Sequence, residues 1–99
     1  IIGLVSKQDI LAIHIDNKII VNQNEFNIPY GNYTTPKIYQ NYISTLNLDT
    51  KELYLFSESK KIERFPIFSS NLYDFSTREK QTVLVVVGDQ DELLYYTVD

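Results

Sequence analysis

The sequence predicts an all-β domain of antiparallel strands, and three observations carry that prediction. Helix signals are nearly absent: one alanine in 99 residues, and no sustained apolar repeat at i, i+3, i+4. Short runs of β-branched and aromatic residues recur throughout, bounded by Asn, Asp, Gly, Ser and Pro. The longest apolar run, "TVLVVVG", has the length of a strand and falls far short of the roughly 20 residues of a spanning helix.

Eleven strands follow in order. "IGLVS" (2–6) and "ILAIHI" (10–15) flank Lys7-Gln8-Asp9, and "KIIVN" (18–22) follows Asp16-Asn17. Then come "EFNI" (25–28), "KIYQ" (37–40) after Pro36, and "YISTLNL" (42–48). "ELYLFS" (52–57) follows the turn Asp49-Thr50-Lys51, and "KIERFPI" (61–67) follows the next polar break. "LYDF" (72–75), "TVLVVV" (82–87) and "LLYYTV" (93–98) complete the set, the last two separated by the acidic turn at Asp89, Asp91 and Glu92. Many short strands with regular turn signals make an all-β fold.

The strands echo one another. "DTKELYLFS" (49–57) lies over "DQDELLYYT" (89–97) at an offset of 40, matching Asp49 with Asp89, Glu52 with Glu92 and Leu53 with Leu93. "QDILAIHID" (8–16) resembles "QDELLYYTVD" (90–99) with one gap, and Phe26 and Ile28 match Phe65 and Ile67 at an offset of 39. A period near 40 with about four strands per unit is the spacing of a β-propeller blade. The expected units are 1–41, 42–81 and 82–99: two antiparallel blades and the opening hairpin of a third, all in one domain, 1–99. Tyr54, Phe56, Phe65, Ile67, Val85, Val87, Leu93 and Tyr95 are the expected packing residues. Propellers close with typically four to eight blades, and two and a half would leave strand edges open. Three arrangements resolve this: further blades upstream, several chains in one homo-oligomeric ring, or a β-sandwich. The chain carries no methionine, and we read it as a piece of something longer.

Residues 51–99 resemble the integrin-type FG-GAP propeller repeat of bacterial surface and secreted proteins. Tyr54-Leu55-Phe56, Phe65-Pro66-Ile67, Asp74-Phe75 and Val85-Val86-Val87-Gly88 stand in the order of that family's motifs. The resemblance implies a cell-surface or extracellular setting. It also implies a calcium loop, from which this chain departs. The aligned stretch "DFSTREKQT" (74–82) keeps Asp74 but has Ser76, Arg78 and Lys80 where ligands would follow, and lacks the turn glycines. No metal and no cofactor is expected.

Composition narrows the function further. The net charge is −4 with the charges scattered, so no basic cluster exists to neutralise phosphates, and nucleic acid is not an expected partner. Membrane insertion is not expected either. The absence of cysteine removes disulfides, thiolate metal sites and thiol nucleophiles together. His14, the one histidine, has no Ser/Asp or metal-spaced companions; we read it as a solvated or hydrogen-bonded strand residue sharing a face with Ile10 and Ala12. The acidic turn reads as turn chemistry and edge protection.

The densest recognition-type stretch is "YGNYTTPKIYQNY" (30–42), where Tyr30, Asn32, Tyr33, Tyr39 and Tyr42 are the candidate binding residues for a protein or a glycan. "NYT" (32–34) is formally an N-glycosylation acceptor. The expected function is a non-catalytic binding or scaffold module within a larger protein. Three alternatives stand beside it: a lectin-like oligomer of short chains, a self-contained sandwich interaction domain, and a propeller fragment of an enzyme whose catalytic residues lie elsewhere.

Overall fold

The structure, a computed structural model, describes residues 3–58 and 62–98. Ile2, Lys61 and Asp99, used in the sequence reading, lie outside the described residues. Among those described there are eleven strands and no helix. They are β1 Gly3–Lys7, β2 Ile10–Ile15, β3 Lys18–Val21, β4 Asn24–Asn27, β5 Lys37–Tyr39, β6 Tyr42–Asn47, β7 Glu52–Ser57, β8 Ile62–Pro66, β9 Tyr73–Arg78, β10 Gln81–Val87 and β11 Leu93–Thr97.

Three antiparallel sheets use these strands consecutively: β1-β2-β3-β4, then β5-β6-β7-β8, then β9-β10-β11. Every hydrogen-bonded neighbour in a sheet is also a neighbour in sequence, so each sheet is a simple meander. The two-residue hairpin turns are built without glycine. Gln8, Asp16, Asn22 and Gln40 turn four two-residue hairpins with φ between 52° and 54°, and Glu79 and Lys80 both lie at positive φ (49° and 68°). Two successive positive-φ residues match the right-handed twist of the flanking strands, which is why hairpins favour such turns.

Contacts divide the chain into two compact units, Ile1–Phe65 and Pro66–Asp99. In the first, the first two sheets share a core. Ile10, Ala12, Ile19, Val21, Phe26 and Ile28 meet Ile43, Tyr54 and Phe56, with Val5, Tyr33 and Ile38 packed against them. The rings of Phe26 and Phe56 lie 5.1 Å apart, tilted by 43°. In β6 five successive residues, Ile43 to Asn47, are buried, and in β7 four, Leu53 to Phe56. Strands buried on both faces lose the in-out alternation of half-exposed strands.

In the second unit β10 is central, and Thr82, Val83, Leu84 and Val86 are buried along it. Here the structure corrects the expected packing set. Tyr54, Phe56 and Ile67 are buried, and Phe65, Val85 and Val87 partly so, but Leu93 and Tyr95 are 54% and 48% exposed. The register explains this: Val85 pairs with Tyr95 and Val87 with Leu93, on the face opposite Leu84 and Val86. An unbroken valine run carries no alternation to say which face turns inward.

Two further differences concern the third sheet. "LYDF" continues as β9 through Ser76, Thr77 and Arg78, because all three pair with β10. The stretch aligned with a calcium loop is therefore strand and hairpin turn. The closing segment is the third strand of a three-stranded sheet rather than half of an opening hairpin. The sheets open at Gly3, Lys37 and Tyr73, 34 and then 36 residues apart. Phe26 and Phe65 both lie on fourth strands, and Leu53 and Leu93 both on third strands, while the match of 8–16 with 90–99 pairs a second strand with a third.

Candidate functional site

The candidate binding residues lie on the connection from β4 to β6. Between Ile28 and Pro36 the chain crosses from the first sheet to the second, and it is held there at several points. Residues 32 to 34 run beside β6: Thr34 N–H donates to Leu46 O (2.9 Å), Leu48 N–H donates to Asn32 O (2.7 Å), and Tyr33 forms a bridge with Asn47. Thr45 Oγ1 donates to Thr34 O at 2.8 Å, and Leu46 N–H donates to Thr34 Oγ1 at 3.0 Å.

The turn after β6 anchors the tip of this loop. Asn47 is almost fully buried, and its Oδ1 accepts from the N–H groups of Asp49 and Thr50 at 2.9 and 3.1 Å. So positioned, Asp49 accepts from Asn32 twice, from the backbone N–H at 3.0 Å and from the side-chain amide at 3.1 Å. The amide of the N-glycosylation triplet is thus engaged by a carboxylate. Asn47 did not figure in the sequence reading, and Asp49 did so only as a turn and repeat residue; the signal that could have found the pair is an Asn two residues before an Asp at a strand end, where Asx side chains close turns.

The five predicted residues do not form one patch. Tyr30 projects from the loop at 75% exposure. Asn32 is exposed beside it. Tyr33 turns inward: its hydroxyl donates to Pro29 O at 2.7 Å and its ring meets His14 at 4.9 Å. Burial raises the Tyr33 phenol above its ordinary value, partly opposed by its bond with Asn47 and reinforced by the nearby Tyr54, Glu52 and Asp49. Tyr39 and Tyr42 pair directly across the β5–β6 hairpin, at the opposite end of β6 from Asn47. At about 3.4 Å per residue, that separates them from the Tyr33 bridge by roughly 17 Å along the strand.

His14 is fully buried in β2 and, of the two expected states, solvated or hydrogen-bonded, it takes the second. Its Nε2 lies 3.1 Å from the Asp16 carbonyl, which requires Nε2 to carry the proton and donate. Nδ1 then faces the interior with no hydrogen-bond partner. Desolvation lowers its pKa, only partly opposed by the bond to Asp16.

Elsewhere, two carboxylates of the acidic turn accept hydrogen bonds, one from Ser69 and one from within the turn. Asp89 Oδ1 accepts from Ser69 Oγ at 2.7 Å and Ser69 N–H at 3.2 Å, and these bonds hold its carboxyl below the usual range. Glu92 accepts from Gln90 N–H at 3.3 Å. Among the described residues no three His, Cys, Asp or Glu side chains gather to hold a metal ion. A shallow hollow of about 620 Å³ lies on the third sheet, lined by Arg78, Glu79, Gln81, Val83, Tyr95 and Thr97. The Arg78 guanidinium sits 4.7 Å from the centre of the Tyr95 ring. Among the described residues no helix is long and apolar enough to cross a membrane.

Compared with known proteins, the chain matches no family model, no curated sequence and no solved structure.

Proposed function

We propose that this chain is a non-catalytic binding and scaffold module of propeller-type blades, part of a larger protein that works at or beyond the cell surface. The observation that carries the blade reading is strand order. Each sheet is completed from consecutive strands before the next begins. A propeller blade is a four-stranded sheet of this kind, whereas Greek-key sandwiches pass successive strands between sheets. The face-to-face core of the first two sheets is the contact adjacent blades would make. The extracellular setting rests on the resemblance to FG-GAP repeats.

A non-catalytic role is supported by the fate of the one histidine, which is sealed in the core against Tyr33 rather than offered to a substrate. For ligand contact, Tyr30 is the strongest candidate. It presents a wide amphipathic ring from a loop that Asp49 fixes through Asn32, so little ordering entropy is lost on binding. The ligand is a protein or a glycan.

A glycan array and a panel of extracellular proteins, probed with the wild type and with Tyr30→Ala, test this. We expect a ligand whose binding falls at least tenfold in Tyr30→Ala while the circular dichroism spectrum is unchanged. Binding indifferent to Tyr30, or turnover of any glycan or peptide tested, overturns the reading.

A further inference from the structure

We infer that the hollow on the third sheet binds an acidic saccharide, a sugar ring bearing a carboxylate and hydroxyls, with the Arg78 guanidinium as the carboxylate's partner. The site lies wholly within the second unit, and it depends neither on the blade reading nor on the Tyr30 loop.

The register brings its residues together. Gln81 stands opposite Arg78 on β9, Val83 opposite Thr97 on β11, and Val85 opposite Tyr95. Residues two apart on a strand share a face, so Arg78, Gln81, Val83, Tyr95 and Thr97 all rise from one side of the sheet. Arg78 and Tyr95 belong to the two outer strands, roughly 10 Å apart. Yet the guanidinium carbon lies 4.7 Å from the centre of the Tyr95 ring. The arginine side chain therefore reaches across β10. Its crossing accounts for Val83, which is 7% exposed on a face where Tyr95 keeps 48%.

This arrangement leaves a positioned cation with its donors unspent. The ring attracts the guanidinium and holds it over the central strand. Among the described residues no hydrogen bond or ion pair engages the side chains of Arg78, Glu79, Gln81 or Thr97. A guanidinium fork pairs with a carboxylate through two parallel hydrogen bonds. Because the fork is already docked on Tyr95, less rotamer freedom is lost when the ligand arrives.

The other lining residues select the rest of the ligand. Glu79 places a carboxylate beside the arginine, so the two charges of the lining cancel. A bare multivalent anion such as phosphate is disfavoured by that carboxylate, whereas a hydroxyl can donate to it. The Gln81 amide and the Thr97 hydroxyl each donate and accept, as the hydroxyls of a sugar require. Val83 and Tyr95 give an apolar floor and wall for the ring's C–H face. The volume of about 620 Å³ falls within the range of small-ligand sites, about 300–1,000 Å³. One carboxylate, several hydroxyls and an apolar ring face occur together in a uronic acid.

The test is titration of the isotopically labelled full chain with sodium glucuronate, followed through amide chemical shifts, with glucose, acetate and inorganic phosphate as controls. We expect saturable shifts at the amides of Arg78, Gln81, Tyr95 and Thr97. Each control should bind at least about tenfold more weakly, the worth of one charge-assisted hydrogen bond. Arg78→Lys, which keeps the charge and loses the fork, should weaken glucuronate about tenfold, and Arg78→Gln should abolish binding. Tyr30→Ala should leave it unchanged. Urea midpoints report folding of each variant; Gln81→Ala, at an exposed side chain, carries the test if Arg78→Gln unfolds, with an expected loss of about threefold. The proposal is overturned by the absence of saturable shifts, by shifts confined to residues 30–42, or by binding unchanged in the Arg78 and Gln81 variants. Acetate or phosphate binding as tightly as glucuronate makes the hollow a bare anion site and overturns it too. So does equal binding of acetylated dialanine, which would reassign the hollow to a peptide C-terminus.

Discussion

The rings of His14 and Tyr33 meet at right angles, 89° between planes and 4.9 Å between centres. This contact ties the central part of the first sheet to the loop that leads into the second. It depends on a neutral imidazole, because protonated Nδ1 would be a buried donor with no acceptor.

A pH dependence follows from that requirement. The folded-state pKa of His14 is lowered from 6.5, so above about 6.5 the imidazole is neutral in both states and its contribution to stability is complete. As pH falls below that value the unfolded chain takes up the proton first, and stability is lost until the folded-state pKa is also passed. Thermal melts stepped from pH 7.5 to 4.5 should show Tm falling in the wild type, with a shallower fall in His14→Phe. The carboxylate of Asp89, also lowered, contributes its loss below about pH 4, outside that window. Equal slopes in wild type and variant would remove His14 as the cause.

Gly3 is fixed by close approach. A Cβ at this position would lie 2.6 Å from Cδ of Pro36, a buried ring with no rotamer to escape into. Gly3→Ala should therefore cost about 1–3 kcal/mol, the range for overpacking. Urea denaturation measures it, and an unchanged midpoint would show that the loop can move aside.

Phe56 is fully buried against Phe26. Phe56→Ala should cost about 3–5 kcal/mol, the range for emptying an aromatic core site. Domains of this kind have roughly 5–15 kcal/mol in total, so partial unfolding at 37 °C is expected. Denaturant titration monitored by circular dichroism checks it.

The β9–β10 turn offers a gain. Glu79 and Lys80 occupy left-handed backbone, which costs an L-residue about 1–2 kcal/mol and costs glycine little. Replacing the pair by Asn-Gly should stabilise the chain by roughly 1 kcal/mol, read as a higher urea midpoint at constant slope.

The strands were legible because β-branched and aromatic runs broken by Asn, Asp and Gly are local signals. β9 was the exception at its far end: Ser76, Thr77 and Arg78 have no apolar pattern and are strand only because β10 lies beside them. The candidate site was legible as a tyrosine-rich stretch but not as a geometry. Tyr30 and the Tyr39–Tyr42 pair sit at different places because residues 32–39 run the length of β6, from its Asn47 end to its Tyr42 end.

What the sequence alone determined was the class: all-β, built of short antiparallel strands with polar turns. Composition and period decide that, residue by residue. Which face of each sheet turns inward was decided only in three dimensions. Packing buries Leu84 and Val86 and leaves Val85 half-buried and Tyr95 exposed, and it buries His14 while leaving Leu11 open. The physical reason is that a side chain's environment is set by what packs across from it. In strands apolar on both faces, such as β10, the local pattern is the same whichever face is covered.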